Sequence, residues 1–106
     1  KKMEKIYLPK DWVCNGSELK PKNGGSRETW IYNGKEIKAK INATSRETWV
    51  FDGKELKAKI NATSRDTWVV ERDIIKPKIN ATSRNSYDLD GNPILVAFGQ
   101  LILKAW

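Results

Sequence analysis

Lysine and arginine side chains recur at intervals of nineteen residues, as Lys40, Lys59 and Lys78 illustrate, and they are the first candidates for chemistry. The chain has 20 Lys and Arg against 13 Asp and Glu, for a formal net charge of +7. Such a balance favours an anionic partner: a lipid headgroup, nucleic acid or acidic polysaccharide. The recurring cations that we predict to bind it are Lys38, Lys40, Arg46, Lys57, Lys59, Arg65, Lys76, Lys78 and Arg84. Acidic residues recur beside them, so a solvated charged face is the alternative interpretation.

Tryptophan recurs with nearly the same spacing, at Trp12, Trp30, Trp49 and Trp68. Indoles that reach solvent stack on sugars or hold quaternary ammonium groups, so carbohydrate or cell-surface recognition is a second hypothesis. The alternative is that these four indoles form the core.

Catalytic chemistry has little support in this sequence. It contains no histidine, which excludes Ser-His-Asp triads, Cys/His dyads and most zinc sites. Its single cysteine, Cys14, holds a core position of the repeat, and Glu36 and Glu55 recur in equivalent surroundings. A catalytic carboxylate needs one specially perturbed environment. We therefore expect a non-catalytic protein without a metal or cofactor.

The elements that must position these residues are internal repeats. Copies lie near residues 11–27, 28–46, 47–65, 66–84 and 85–106, and TWIYNGKEIKAKINATSR differs from TWVFDGKELKAKINATSR at four positions. Repetition at a fixed short period indicates a repeat architecture, and 106 residues suffice for one modest core. We predict one domain over residues 1–106.

Each copy carries the signature of a β-hairpin. Asn-Gly or Asp-Gly pairs favour two-residue turns with positive φ. With Asp52-Gly53 as such a turn, Trp49 faces Leu56 across the hairpin. Strand alternation then assigns two faces. The apolar face receives Trp49, Phe51, Leu56, Ala58 and Ile60, and the wet face receives Arg46, Thr48, Glu55, Lys57 and Lys59.

Asparagine-rich turns join the copies. Asn42, Asn61 and Asn80 each begin an Asn-Ala-Thr triplet, which matches the N-glycosylation acceptor. We interpret these residues as turn formers. In the fourth copy Glu71-Arg72 replaces Asp-Gly, which predicts a different, longer loop.

The predicted fold is an all-β antiparallel meander of about five hairpins, closed into a shallow pseudo-symmetric barrel. A short strand at residues 5–8 and an apolar strand at 101–106 would pair to remove both sheet edges. Residues 94–106 are apolar on both faces, which fits a closing strand or a homo-oligomer contact. A β-solenoid is the alternative architecture. No window is long and apolar enough to predict a transmembrane segment, and the compartment stays open.

The order of Trp, aromatic, Asn/Asp-Gly and Leu/Ile, with the closing NPILVAFGQLILKAW, resembles the bacterial β-flower proteins. Their hairpins form petals around a shallow barrel, so the resemblance implies a small symmetric barrel of unestablished function. A shape similarity of that family to tubby-like domains hints at lipid. The chain is also similar to choline-binding cell-wall repeats but lacks their additional aromatic residues. The near-identical copies equally fit a self-assembling or engineered symmetric scaffold.

Overall fold

The computed structural model describes residues 3–106, and within them ten strands form one sheet. The strands are β1 (Glu4–Lys5), β2 (Trp12–Cys14), β3 (Glu18–Pro21), β4 (Trp30–Tyr32), β5 (Glu36–Ala39), β6 (Trp49–Phe51), β7 (Glu55–Ala58), β8 (Trp68–Glu71), β9 (Ile74–Pro77) and β10 (Tyr87–Asp88). Their order in the sheet is β1-β10-β9-β8-β7-β6-β5-β4-β3-β2. Only β1 and β10 pair in parallel. The predicted antiparallel meander of hairpin repeats is therefore confirmed.

Four complete hairpins make up the meander: the first is β2–β3, the second β4–β5, the third β6–β7 and the fourth β8–β9. Within each hairpin, the residue opposite a given position lies two residues further along the chain than predicted. Trp49 lies opposite Ala58 rather than Leu56, and Phe51 takes the place opposite Leu56. A shift of two residues leaves the side chains within the strands on their predicted faces. Lys57, paired with Val50, accordingly lies on the face opposite Trp49.

The shift has its origin in the Asp52 side chain. Its Oδ1 accepts hydrogen bonds from the backbone N–H groups of Lys54 and Glu55, at 2.9 and 2.8 Å. Within this turn only Gly53 has a positive φ, at 96°. The predicted turn required positive φ at both Asp52 and Gly53. An aspartate that bonds to the backbone two and three residues ahead places the turn one residue later.

The fourth hairpin corrects a further expectation. Glu71 pairs directly with Ile74, so the loop consists of only two residues, Arg72 and Asp73, and is not lengthened as predicted. Arg72 adopts a φ of 61°, in the left-handed region that Gly53 occupies in the third hairpin. Asn42, Asn61 and Asn80 also adopt φ near 60°, which supports their interpretation as turn formers.

The C-terminal segment is helical, so the predicted strand at residues 101–106 and its pairing with 5–8 are wrong. Helix α1 (Ile94–Ala97) continues into a π-helical turn (Phe98–Ile102). Leu95, Val96, Ala97 and Phe98 are completely buried. A segment apolar on all sides satisfies its own backbone hydrogen bonds as a helix, without a partner strand on each flank. The fifth unit is thus one strand followed by a helix.

The sheet is open. Strands β1 and β2 stand at opposite ends of its order, and within residues 3–106 no strand pairing joins them. Residues 6–11 connect the two strands, and so short a segment spans at most about 25 Å. The two ends of the sheet therefore lie within about 25 Å of each other, and the predicted closure through paired strands is not formed.

The core lies between the tryptophan face of the sheet and the C-terminal helix. Each hairpin contributes one fully buried side chain from its second strand: Leu19, Ile37, Leu56 and Ile75. Ile6, just after β1, is the fifth such residue. Its N–H donates to the Asp88 carbonyl at 2.8 Å. The N-terminal strand thus replaces the second strand that the fifth unit lacks.

Phe98 fills the centre of this arrangement. Its ring lies 5.2 Å from that of Trp30 and 6.1 Å from that of Trp49. Beside it, a Cβ added to Gly99 would stand 2.5 Å from Trp106 Cη2 and 2.9 Å from Leu19 Cδ2. Only glycine permits this approach, which lets the helix settle onto the sheet.

Ile60 was predicted on the apolar face, but it lies in a bend beyond β7 and is 42% exposed. Its equivalents Ile41 and Ile79 are exposed to the same extent. The strands end before these positions, so alternation no longer controls the direction of their side chains. No helix within residues 3–106 has the length and apolar character that crossing a membrane requires.

Candidate binding groove

The six predicted lysines lie on the wet face, and each has a glutamate partner. Three pairs join successive hairpins: Lys40–Glu18 at 3.1 Å, Lys59–Glu36 at 2.7 Å and Lys78–Glu55 at 3.0 Å. Three more lie within hairpins: Lys38–Glu36 at 3.3 Å, Lys57–Glu55 at 3.5 Å and Lys76–Glu71 at 3.0 Å. The wet face is therefore a ladder of alternating charges, and much of its positive charge is already compensated.

This ladder also governs the ionisation of its carboxylates. A hydrogen bond from Lys59, followed by one from Lys38, lowers the pKa of Glu36 below its ordinary value of 4.5. Lys78 and Lys57 lower the pKa of Glu55 in the same way, and Lys76 lowers that of Glu71. These glutamates are consequently ionised at neutral pH and stay paired.

The three predicted arginines lie elsewhere, at the rim formed by the turns between hairpins. Arg46 belongs to the 3-10 turn Ser45–Glu47 and Arg65 to the 3-10 turn Ser64–Asp66. Arg84 holds the equivalent place in the next turn, and all three side chains are exposed. Within residues 3–106 no carboxylate oxygen lies within 4.0 Å of their guanidinium groups. These arginines are free to meet an anion.

Buried hydroxyl groups fix this rim. Thr67 Oγ1 donates to the Thr63 carbonyl at 2.7 Å, across the turn that carries Arg65. Thr48 and Ser86 make the same bond in the neighbouring turns, to Thr44 and Thr82 at 2.6 Å. Because the hydroxyl closes each turn from the inside, the arginine at its tip is held at a defined position.

One arginine of the rim borders a groove between the sheet and the C-terminal helix. The groove has a volume of about 480 Å³. Trp49 and Trp68, both half-buried, line its sheet side, and Leu101 and Ile102 line its helix side. Its polar lining consists of two cations, Arg65 and Lys104, together with Asn61, Asp66 and Thr67. The groove thus joins the two kinds of residue that the sequence singled out, aromatic and cationic.

The remaining predicted tryptophans do not reach this groove. Trp30 packs on Phe98 and Trp12 packs on Trp106, with ring centres 5.2 Å apart in both pairs. A second depression of about 450 Å³ borders Trp12, and its charged lining consists of Lys22, Asp11 and Glu28. Two carboxylates against one ammonium group make that depression less suited to an anion than the groove, where two cations face one carboxylate.

Leu101, Ile102 and Lys104 were missed as site residues because the final segment was interpreted as a strand. Their signal was available in the sequence, since Pro93 precedes an apolar run over residues 94–103 that is broken only by Gln100 and lacks the alternation of a half-buried strand. The buried part of this run, residues 95–99, is covered by the chain's own sheet. That burial accounts for its apolar character on all sides, and a homo-oligomer contact through 94–106 stays a prediction.

Cys14 packs against the core from β2 and is half-buried. Burial raises the pKa of its thiol above the ordinary value, which disfavours the reactive thiolate. The thiol is therefore a packing residue.

Comparison with protein-family models, with curated proteins and with solved structures found no match for this chain. The likeness to β-flower proteins therefore stays a prediction.

Proposed function

We propose that this chain is a non-catalytic binding module whose groove holds an acidic carbohydrate. The observation that carries the proposal is the meeting of two indoles, Trp49 and Trp68, with two cations, Arg65 and Lys104, around one cavity. A volume of about 480 Å³ falls in the range of roughly 300–1,000 Å³ that is usual for ligand sites.

Each half of the lining suits one part of such a ligand. The C–H face of a sugar ring packs on an indole, because both surfaces are apolar. A sugar carboxylate accepts two parallel hydrogen bonds from a guanidinium, and Arg65 is exposed and unpaired within residues 3–106. Asn61 and Asp66 supply acceptors and donors for hydroxyl groups.

Asp66 also favours a carbohydrate over a nucleic acid or a phospholipid. Its carboxylate lines the groove beside Arg65 and would repel closely spaced phosphates, whereas a sugar hydroxyl donates to it. Nucleic-acid and membrane binding usually draw on many free cations. Here the wet-face lysines are paired with glutamates, which leaves few free cations for the extended array of phosphates on a nucleic acid or an anionic membrane.

The test is calorimetric titration with an oligogalacturonide and with a neutral galactose oligosaccharide of equal length. We expect the acidic ligand to bind more tightly, and Arg65→Gln to weaken that binding about tenfold, as the loss of one charge-assisted hydrogen bond predicts. Arg84→Gln is the matched control, because Arg84 holds the same repeat position outside the groove. Its affinity should equal that of the unaltered chain.

Three results would contradict the proposal: no binding of either sugar, equal binding of both, or equal weakening by the two arginine substitutions. Single-stranded DNA and anionic phospholipid vesicles belong in the same series. Tighter binding of either, with the same dependence on Arg65, would replace the carbohydrate by that ligand.

A further inference from the structure

Neighbouring hairpins are joined by a backbone hydrogen bond that recurs through the sheet. In each case an N–H from the first strand of one hairpin donates to a turn carbonyl of the hairpin before it. The pairs are Tyr32 to Ser17 at 2.9 Å, Phe51 to Lys35 at 2.9 Å, Val70 to Lys54 at 2.7 Å and Leu89 to Asp73 at 2.8 Å. Every interior first strand is therefore bonded on both sides.

A side-chain pair marks the same junctions. Lys40, Lys59 and Lys78 each reach back to a glutamate on the second strand of the preceding hairpin, at 3.1, 2.7 and 3.0 Å. The backbone N–H of each lysine donates to a threonine carbonyl at 2.9 Å across its own hairpin, which fixes the side chain at the junction. Each interior hairpin is thus bonded by two groups of the hairpin before it: a turn carbonyl and a glutamate.

The first hairpin lacks both features. Cys14 holds the position of Tyr32, and among residues 3–106 no turn carbonyl accepts a hydrogen bond from its N–H. Lys22 holds the position of Lys40, since its N–H donates to the Asp11 carbonyl at 2.8 Å. In the part of the chain that the structure describes, no carboxylate lies within 4.0 Å of its ammonium group.

The surface beside β2 is open. Val13 is 39% exposed, whereas its equivalents in the interior hairpins are half-buried. A depression of about 200 Å³ flanks the strand and is lined by Val13, Cys14 and Glu18 among others. The chain enters β2 through a turn in which the Trp12 N–H donates to the Pro9 carbonyl at 3.2 Å, and no strand of the described residues 3–106 pairs with this edge.

We propose that the free edge of β2 binds an extended segment with the sequence of this repeat's second strand. The segment presents a backbone carbonyl to the Cys14 N–H and a glutamate to Lys22, as each interior hairpin does for the next. Strand addition of this kind gains backbone hydrogen bonds, and the glutamate sets register and direction. The site lies on β2, whereas the groove borders β6 and β8, so this proposal does not depend on the carbohydrate.

The test uses a fluorescein-labelled peptide of residues 52–60, DGKELKAKI, and its anisotropy on titration with the whole chain. We expect saturable binding, weakened about fivefold by Lys22→Glu in the chain, because the substitution places two like charges opposite each other. A peptide with lysine in place of its glutamate should bind the Lys22→Glu chain and restore the affinity. Lys35→Glu makes the same charge change at an exposed turn away from the edge and is the matched control.

Amide exchange locates the contact, because the bound peptide should slow exchange of the Cys14 N–H. An unchanged anisotropy would overturn the proposal. So would equal losses with Lys22→Glu and Lys35→Glu, or failure of the charge swap. Peptide-independent dimerisation in sedimentation, abolished by Lys22→Glu, would also overturn it, because the second strands of a folded copy are already paired on both sides and another segment of that copy would then occupy the edge.

Discussion

The third hairpin and the fifth unit begin alike and end differently. In both, a strand that starts with an aromatic residue leads into an Asp-Gly pair; this residue is Trp49 in the third hairpin and Tyr87 in the fifth unit. In the third hairpin only Gly53 has positive φ, and the chain returns as β7. In the fifth unit Asp90 and Gly91 both have positive φ, at 54° and 76°, and the chain enters α1.

Pro93 accounts for the difference. It has no N–H to contribute to a ladder, and its φ of −64° suits the start of a helix. Because the fifth unit has no second strand, β1 pairs with β10 instead, and Ile6, just after β1, is buried in the core. The Asp-Gly pair alone therefore does not decide whether a strand or a helix follows, and the departure from the repeat at Pro93 creates the helical wall of the groove.

The largest expected effect on stability is at Phe98, in the helical segment that only the fifth unit has. Phe98→Ala should lower the free energy of unfolding by about 3–5 kcal/mol, because it removes a fully buried ring from between Trp30 and Trp49. Urea unfolding measures the change. Ile60→Ala, at an exposed repeat position, is the control and should change it by less than about 0.5 kcal/mol. Similar losses from both would mean that the helix does not cap the core.

A smaller effect on stability is expected at the turns of the third and fourth hairpins, which carry different residues at the position of positive φ. Arg72 has a φ of 61°, where a non-glycine residue costs about 1–2 kcal/mol. Arg72→Gly should therefore stabilise the chain by up to about 1 kcal/mol, since the added flexibility of glycine when unfolded offsets part of the gain. Gly53→Ala, at the equivalent position with a φ of 96°, should destabilise it by about 1 kcal/mol. Thermal unfolding would refute the account if both substitutions moved stability in the same direction.

The smallest effect is a pH dependence confined to the interior hairpins. Lys78 lowers the pKa of Glu55 below its ordinary value of 4.5, so the native state favours the ionised carboxylate. The associated stability is present above pH 4.5 and is lost as the pH falls through the native pKa. Glu55→Gln should flatten this acid-side decline in urea unfolding. Glu47→Gln, at a carboxylate that bonds Thr44, is the control, and an equal flattening there would disprove the role of the ladder.

Much of the fold follows from local signals. The repeat spacing, the Asp-Gly turns and strand alternation predict the hairpins and assign Leu56 and Lys57 to opposite faces. The pairing was missed by two residues because the Asp52 side chain bonds to the backbone within its own turn, a local contact that φ preferences alone do not encode. The helix was missed because residues 94–106 were aligned with a repeat that Pro93 interrupts.

The candidate site was predictable only by residue type. Arg65, Trp49 and Trp68 were named from the sequence, but their meeting depends on where the C-terminal helix lies. The pairing of Lys59 with Glu36 joins two successive hairpins through residues that are 23 apart in the chain, and repeat spacing alone does not predict that contact.

The most direct test of the groove is a nuclear magnetic resonance titration of the five indole N–H groups with an oligogalacturonide. We expect saturable shifts at Trp49 and Trp68 and unchanged signals at Trp12 and Trp106, because those last two indoles pack on each other away from the groove. Shifts of similar size at all five indoles, or none at Trp49 and Trp68, would contradict it.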